Sequence, residues 1–520
     1  MTSETNDHGR VEEYTPTDRW IITIVAMSGT FCMFISATIV NVAIPSVMGA
    51  FGVGQDQAQW VATAYLATMV ASQLLSHWFV RAFGTRLAYV IIICIWLFGT
   101  LVCTTTTTLD FLVLGRVLQG MGAGVMQPLV MVLVFKVYPA DKRGFGMGIY
   151  GMVATLAPTF GPLLGGYVID YFSWRTIFYA PVPLAIIGLI FGPIFIPGDR
   201  PRGPLPRFDW SSYILLCITL CCIISILSNS QRWGWDSNIM IYTILIGLAT
   251  GIWFIKIQTQ ATLPMLDFSL FRHGRFSAAV AVSFVFGMGN FASSYMVPVF
   301  SQVVQGFTPS NAGLVMMPAG ILLSAALPFT GRLSDHVPAH IMVMAGLILF
   351  AAGAILMSGA DVNTSFLSLM IFIIISRFGL AFILPSLTTA AFDALEPEEL
   401  NQGAGALNFL RQLGGASGIS ILVITMENRA QFHGTSLTAT QTPGNNVSRE
   451  LLGAVSNLMG QHGLPDALHT AGALHYLGEI VYAQAYTLGF KDGFLVLALF
   501  FLLALLPAYA MRERPRYTEK

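Results

Sequence analysis

The chain has 520 residues, 55% of them apolar and only 10% charged, with a mean hydropathy of +0.69. Soluble globular proteins carry roughly 25% charged residues, so a soluble fold is excluded and a polytopic membrane protein is indicated. The 26 basic and 26 acidic residues cancel, which leaves no electrostatic footprint for nucleic acid or a strongly charged partner.

In chain order, residues 1–19 form a polar tail containing Glu4, Asp7, Glu12, Glu13 and Asp18. That acidic start is unlike the basic opening of a cleaved signal peptide, and the apolar run behind it has full spanning length, so the first span is expected to be retained. Windows of about 20 apolar residues, the length that crosses a bilayer as a helix, recur fourteen times. Six lie at 20–41, 58–79, 86–104, 110–133, 144–168 and 175–196. A segment with four prolines and three arginines follows at 197–209, read as a cytoplasmic hinge or equally as a plain solvated connector. Windows at 210–229 and 238–257 come next, then six more at 277–302, 311–331, 340–358, 364–388, 403–426 and 489–510.

The expected architecture is therefore an all-α membrane protein with an even number of crossings and both termini on one side. Placing the termini in the cytoplasm puts eighteen of the 26 basic residues there, Arg81, Lys142, Arg202 and Arg332 among them. Five remain opposite, namely Arg175, Arg232, Arg429, Arg449 and Lys491, and the positive-inside rule selects that orientation. A weak repeat relates the first six spans to the last six, with Arg116 opening span 4 and Arg377 opening span 12. The expected organisation is a cytoplasmic tail 1–19, a six-helix bundle 20–196, a linker 197–209, two inserted helices 210–257, a second six-helix bundle 275–510 and a cytoplasmic tail 511–520.

Within span 4 the run Leu112-Val-Leu-Gly-Arg-Val-Leu-Gln-Gly-Met-Gly-Ala-Gly124 sets Arg116 at membrane depth. An arginine there costs roughly 2.5 kcal/mol or more even on the mildest scale, so such residues face a protein interior or a watery cavity and mark transport paths. Arg377 and Arg411 are placed similarly, or else bond backbone carbonyls near the surface. The carboxylates Asp170, Asp393 and Glu427 sit at span ends. Asn41, Tyr65, Gln73, Gln127, Asn290, Tyr295 and Gln302 are candidates to line a substrate cavity, each with a purely structural alternative. The six cysteines, in or at the ends of apolar segments and without metal-ligand spacing, read as packing residues, and His433, His462, His469 and His475 lack zinc spacing. No metal or cofactor is expected, and neither a phosphate-cradling glycine loop nor a nucleophile-base pair argues for ATP hydrolysis or catalysis.

Span 5 contains Pro158 and then Gly161-Pro162-Leu163-Leu164-Gly165-Gly166, small residues whose spacing lets helix backbones approach closely. Together with the Arg116 segment one span earlier, Thr38 through Pro45 in span 1, Gln59-Trp60, Phe208-Asp209-Trp210 and Pro264 through Phe271, this order resembles the major facilitator superfamily. The likeness is to its fourteen-span drug:H+ antiporters of the EmrB/QacA type and covers nearly the whole chain. It implies a fold of two six-helix bundles plus two central helices, working in a bacterial inner membrane by alternating access. The function it implies is proton-driven export of hydrophobic small molecules, with a dedicated metabolite carrier or a lipid or fatty-acid exporter as the alternative. By the same resemblance Arg116 belongs to proton coupling, with Asp170 as a candidate carboxylate. The span-5 motif closes the cavity, and Gly84, Arg86, Gly331 and Asp335 form a cytoplasmic gate.

Two departures stand out. Ser36 occupies the place in span 1 where the family usually carries an aspartate, and the loop after span 2 has His77 and Arg81 where a glycine and an aspartate are usual. The intact second copy is Gly331-Arg332-Leu333-Ser334-Asp335. With Ser36 neutral and Arg116, Arg377 and Arg411 present, the cavity is expected to favour anionic or neutral compounds. The periplasmic loop 427–487, long for a connector, has helical spacing at Leu451, Leu452, Val455, Leu458 and Met459 and again over 467–486. Either it docks a periplasmic adaptor and outer-membrane channel, as the resemblance implies for some pumps, or it caps the cavity mouth.

Overall fold

A computed structural model describes residues 14–58, 60–198, 208–261, 264–442, 444–462 and 464–512, and every regular element among them is helical. That outcome follows from the solvent: in hydrocarbon a backbone must satisfy its own N–H and C=O groups, which a helix does within one segment. Twelve helical stretches among the described residues are long and apolar enough to cross a membrane, so the chain is a multi-pass membrane protein.

Contacts divide the chain into two units, Met1–Asp209 with Leu400–Gly405, and Trp210–Glu399 with Ala406–Lys520. The first begins with α1, Pro16–Ile39, whose start is fixed by Thr15 and Asp18 in a reciprocal capping box behind Pro16. A 3-10 turn at Val40–Ala43 joins it to α2, Ile44–Phe51, which Gly52 ends at φ 64°. After the short α3, Gln55–Ala58, come α4, Trp60–Ser72, and α5, Ser76–Thr105. The 46-residue stretch Trp60–Thr105 is broken at Gly84, where φ 74° and ψ 164° leave helical space. Only glycine adopts that conformation cheaply, so the sequence sets the kink there. The chain continues through α6, Leu109–Val137, α7, Arg143–Tyr171, and α8, Val182–Phe195.

The second unit opens with α9, Trp210–Trp233, and α10, Asn238–Gln260, which pack on each other. Then follow α11, Gly274–Val303, α12, Pro309–Ser334, α13, Ala339–Ser358, and α14, Phe366–Phe392. It closes with α15, Leu400–Thr440, α16, Asn446–Gln461, α17, Asp466–Leu503, and α18, Leu505–Ala510. The packing repeats between units: α6 lies against α4 and α5 as α14 lies against α12 and α13, and α5 meets α8 as α13 meets α17.

Segment 427–487, expected as a loop, is largely helix. Its first part extends α15 to Thr440 and its last part begins α17 at Asp466. Between them α16, capped by Asn445, turns the face carrying Leu451, Leu452, Val455 and Met459 toward α17. Hydropathy windows stop where polar residues begin, but a helix ends only where its hydrogen bonding is broken, here after Thr440 with Gln441 as its cap. Most of the expected linker 197–209 lies outside the described residues.

Candidate functional site

Arg116 is fully buried in the first unit. Its Nε donates to the Val61 carbonyl at 3.0 Å, Nη1 to Ser36 Oγ at 3.1 Å and Gln119 Oε1 at 2.7 Å, and Nη2 to the Ser36 carbonyl at 3.1 Å. The guanidinium lies 4.1 Å from the centroid of the Tyr65 ring, whose hydroxyl donates to the Met33 carbonyl at 2.6 Å. Gln119 Nε2 donates onward to Thr100 Oγ1 at 2.7 Å, and Thr100 to the Trp96 carbonyl at 3.0 Å. One arginine thus ties α1, α4, α5 and α6 together. Its hydrogen-bond partners among the described residues are all neutral, so no described carboxylate is bonded to this buried positive charge.

Next to this network α1 and α7 cross closely. Pro162 has no N–H to give the Pro158 carbonyl four residues earlier, and Thr38 Oγ1 of α1 donates to that carbonyl at 3.2 Å instead. A Cβ on Gly161 would land on Thr38 Oγ1, and one on Gly165 would stand 2.9 Å from the Ile39 carbonyl oxygen. Around Gly166 a Cβ would meet nothing within 4 Å, so the contact is made by Gly161 and Gly165 without it. α12 and α14 repeat the device: Pro385 leaves the Ala381 carbonyl free, and Thr330 Oγ1 donates to it at 2.7 Å.

Arg377 occupies in α14 the place Arg116 has in α6. Its Nη1 donates to Asn290 Oδ1 at 2.6 Å and its Nη2 to Ser294 Oγ at 2.8 Å, both on α11, the first helix of the second bundle. Arg116 of α6 thus reaches polar groups on α1 and Arg377 of α14 reaches polar groups on α11. Arg411, nearly buried in α15, donates to Asn408 Oδ1.

The remaining candidates scatter. Gln73 and Gln127 are buried against each other, Nε2 of the first donating to Oε1 of the second at 3.3 Å. Asn41, Tyr295 and Gln302 are exposed, and Gln302 bonds its own helix at Pro298. Arg86 donates from Nε to the Ile196 carbonyl at 2.7 Å, which holds the start of the outgoing helix after Gly84 against the end of α8. Gly331 lies in the last turn of α12 and Asp335 caps it. The side chains of Asp170 and Pro162 lie outside the described residues. Gln119 and Ser294 carry parts of the two arginine sites without having stood out in the sequence. Their spacing from other polar residues, three after Arg116 and four after Asn290, is the signal that could have found them.

Residues 26–419 match the family profile described as Major Facilitator Superfamily. The uncharacterized MFS-type transporter YhcA of Bacillus subtilis (strain 168) is 27% identical over 491 residues, covering 94% of this chain and 92% of its own. The multidrug export protein EmrB of Haemophilus influenzae (strain ATCC 51907 / DSM 11121 / KW20 / Rd) is 26% identical over 487 residues and 93% of each chain. The crystal structure of the human organic anion transporter MFSD10 (TETRAN) matches with a TM-score of 0.60 over 96% of this chain and 100% of its own, at 14% identity, a likeness of fold.

Proposed function

Since the chain belongs to the major facilitator superfamily, whose members are transporters, we propose that it is a proton-coupled exporter of hydrophobic small molecules in a bacterial inner membrane, working by alternating access. The observation that carries this reading is Arg116, fully buried and held by neutral described partners on α1, on α4 and on its own helix. Stability alone is poor reason to keep an uncompensated charge at membrane depth. The relative named a multidrug export protein supports the direction of transport. The test is transport by purified protein in proteoliposomes with an imposed pH gradient. Uptake that ignores the gradient would reject coupling.

The same reading includes fourteen crossings with both termini cytoplasmic. The stretch Trp60–Thr105 is 46 residues long, roughly 69 Å of helix against a hydrocarbon core of about 30 Å, and its break at Gly84 suits a reversal between two crossings. Trp210–Trp233, at 24 residues, supplies another. The 26 basic residues, concentrated on one set of connections, support the orientation.

Substrate charge follows from the Ser36 contact. Arg116 Nη1 stands 3.1 Å from Ser36 Oγ, so Ser36→Asp would set a carboxylate against the guanidinium and cancel the positive interior potential. Moving an anion outward across an inside-negative membrane is favourable by about 2.3 kcal/mol per 100 mV. Wild-type protein is expected to export taurocholate in preference to ethidium, and Ser36→Asp to lower that rate ratio about tenfold, or 1.4 kcal/mol. Strong ethidium export unchanged by the aspartate would remove the anion preference.

The helical hairpin built from the ends of α15 and α17 with α16 supports docking of a periplasmic adaptor that leads to an outer-membrane channel. Val447 and Leu458 of α16 are exposed. Replacing residues 441–465 by a short Gly-Ser linker is expected to abolish resistance in intact double-membrane cells and to keep proteoliposome transport within about twofold, since the spanning helices are untouched. Equal loss in both assays would assign the hairpin to the transport path.

A further inference from the structure

Where α15 and α17 cross in the second unit, three side chains meet on one oxygen. Asp492 Oδ2 accepts from Arg429 Nε at 2.6 Å and lies 2.9 Å from His433 Nε2. The helices there are in backbone contact: a Cβ on Gly489 would stand 2.6 Å from the Met426 carbonyl oxygen and 3.0 Å from Ala430 Cβ. Arg429 also covers the Phe432 ring at 4.9 Å. The other titratable groups around the cluster are Glu427 of α15, which interacts electrostatically with Tyr295 of α11 and Tyr486 of α17. Tyr482, whose ring is tilted against that of Tyr486 at 4.4 Å, and Lys491, next to Asp492 in the chain, complete the set. His433 keeps 20% of its side chain exposed and Asp492 27%, enough for both to exchange protons with water.

We propose that His433, paired with Asp492, is a proton-binding station at the extracytoplasmic end of the last two spans. The proposal rests on the proton-coupled reading and the topology given above. With the imidazole neutral, Asp492 and Arg429 cancel. A proton taken up by the lone pair of the free ring nitrogen leaves Nε2 on Asp492 and adds one positive charge between two tightly crossed helices. Histidine changes charge between pH 5 and 8, and among the described residues the hydrogen-bond partners of Arg116 include neither carboxylate nor imidazole. The ring stands beside one anion, Asp492, and one cation, Arg429, joined on the same oxygen.

The experiment measures gradient-driven transport of taurocholate and of ethidium by full-length protein in proteoliposomes, varying the pH on the extracytoplasmic face from 5 to 8. Wild type is expected to show a step in rate across that range, and His433→Gln to lose it. Asp492→Asn, which removes a negative charge beside the ring, and Arg429→Gln, which removes a positive one, should displace the step in opposite directions. A merely structural clasp would weaken all variants without shifts of opposite sign. An unchanged step in His433→Gln, or shifts of the same sign in the other two, overturns the proposal and leaves coupling intact. A wild type that moves neither probe with the gradient overturns the coupled reading, and this proposal with it.

Discussion

Arg116→Ala is expected to reduce export about 100-fold or more, equivalent to some 2.7 kcal/mol, while the protein still reaches the membrane. The alanine would leave Gln119 Oε1, Ser36 Oγ and the Val61 and Ser36 carbonyls without the donor that now joins them, and each buried polar group so stranded costs about 1–3 kcal/mol. The loss falls on the state in which α1, α4 and α6 are drawn together, so it changes the balance between conformations rather than one contact. Arg116→Lys keeps the charge but not the planar fork, and a single ammonium cannot serve two helices in the same geometry. A loss of about tenfold is expected for it. Immunoblot levels and a monodisperse elution profile in detergent separate a transport defect from misfolding. Normal export by a well-expressed alanine variant would sever Arg116 from the mechanism.

The second large effect concerns the α1–α7 crossing. Gly161→Ala should abolish export, because even one methyl group meets Thr38 Oγ1, and Gly165→Leu should do the same against the Ile39 carbonyl. Gly166→Leu, which points into open space, should keep export within about twofold. Thr38→Val adds a methyl in place of the hydroxyl that donates to the Pro158 carbonyl. With that carbonyl unpaired, a cost of about 1–3 kcal/mol is expected in the crossed state, read as slower export at unchanged protein level. Rates measured for the four variants in the same vesicle preparation decide the matter. Equal loss in Gly165→Leu and Gly166→Leu would mean that the contact is not specific to one helix face.

Gly165 and Gly166 also illustrate how far a sequence can be read. The run Gly161-Pro162-Leu163-Leu164-Gly165-Gly166 marks a helix that approaches another closely, but which glycine makes the approach depends on rotation about the axis. Residues four apart share a face, whereas neighbours lie about 100° apart, so Gly161 and Gly165 touch α1 and Gly166 does not. Spans were legible because apolar length is a one-dimensional property. Arg116 was legible because charge at depth is costly, and its kinship with Arg377 emerged from position alone. The partners were not legible: Ser36 and Tyr65 looked like cavity residues, yet both are buried at the guanidinium. Asp492 escaped notice because it lies near a span end among apolar residues, and only the crossing of α15 and α17 brings it to Arg429 and His433.

α15 has 41 residues and α17 has 38, about 60 and 57 Å of helix at the usual rise, or roughly twice the hydrocarbon thickness. A stiff rod anchored at one end in a moving body is a lever. For each 10° or so of the rigid-body rocking by which alternating access works, a tip some 30 Å beyond the pivot sweeps about 5 Å, close to one helical turn. Motion that frees a small molecule inside the bilayer would then arrive at α16 as a stroke large enough to slide one protein surface past another. Helices of that length would thereby act as a mechanical transmission whose throw is set by their length, so inserting or deleting whole turns in both should tune the stroke without touching the substrate site.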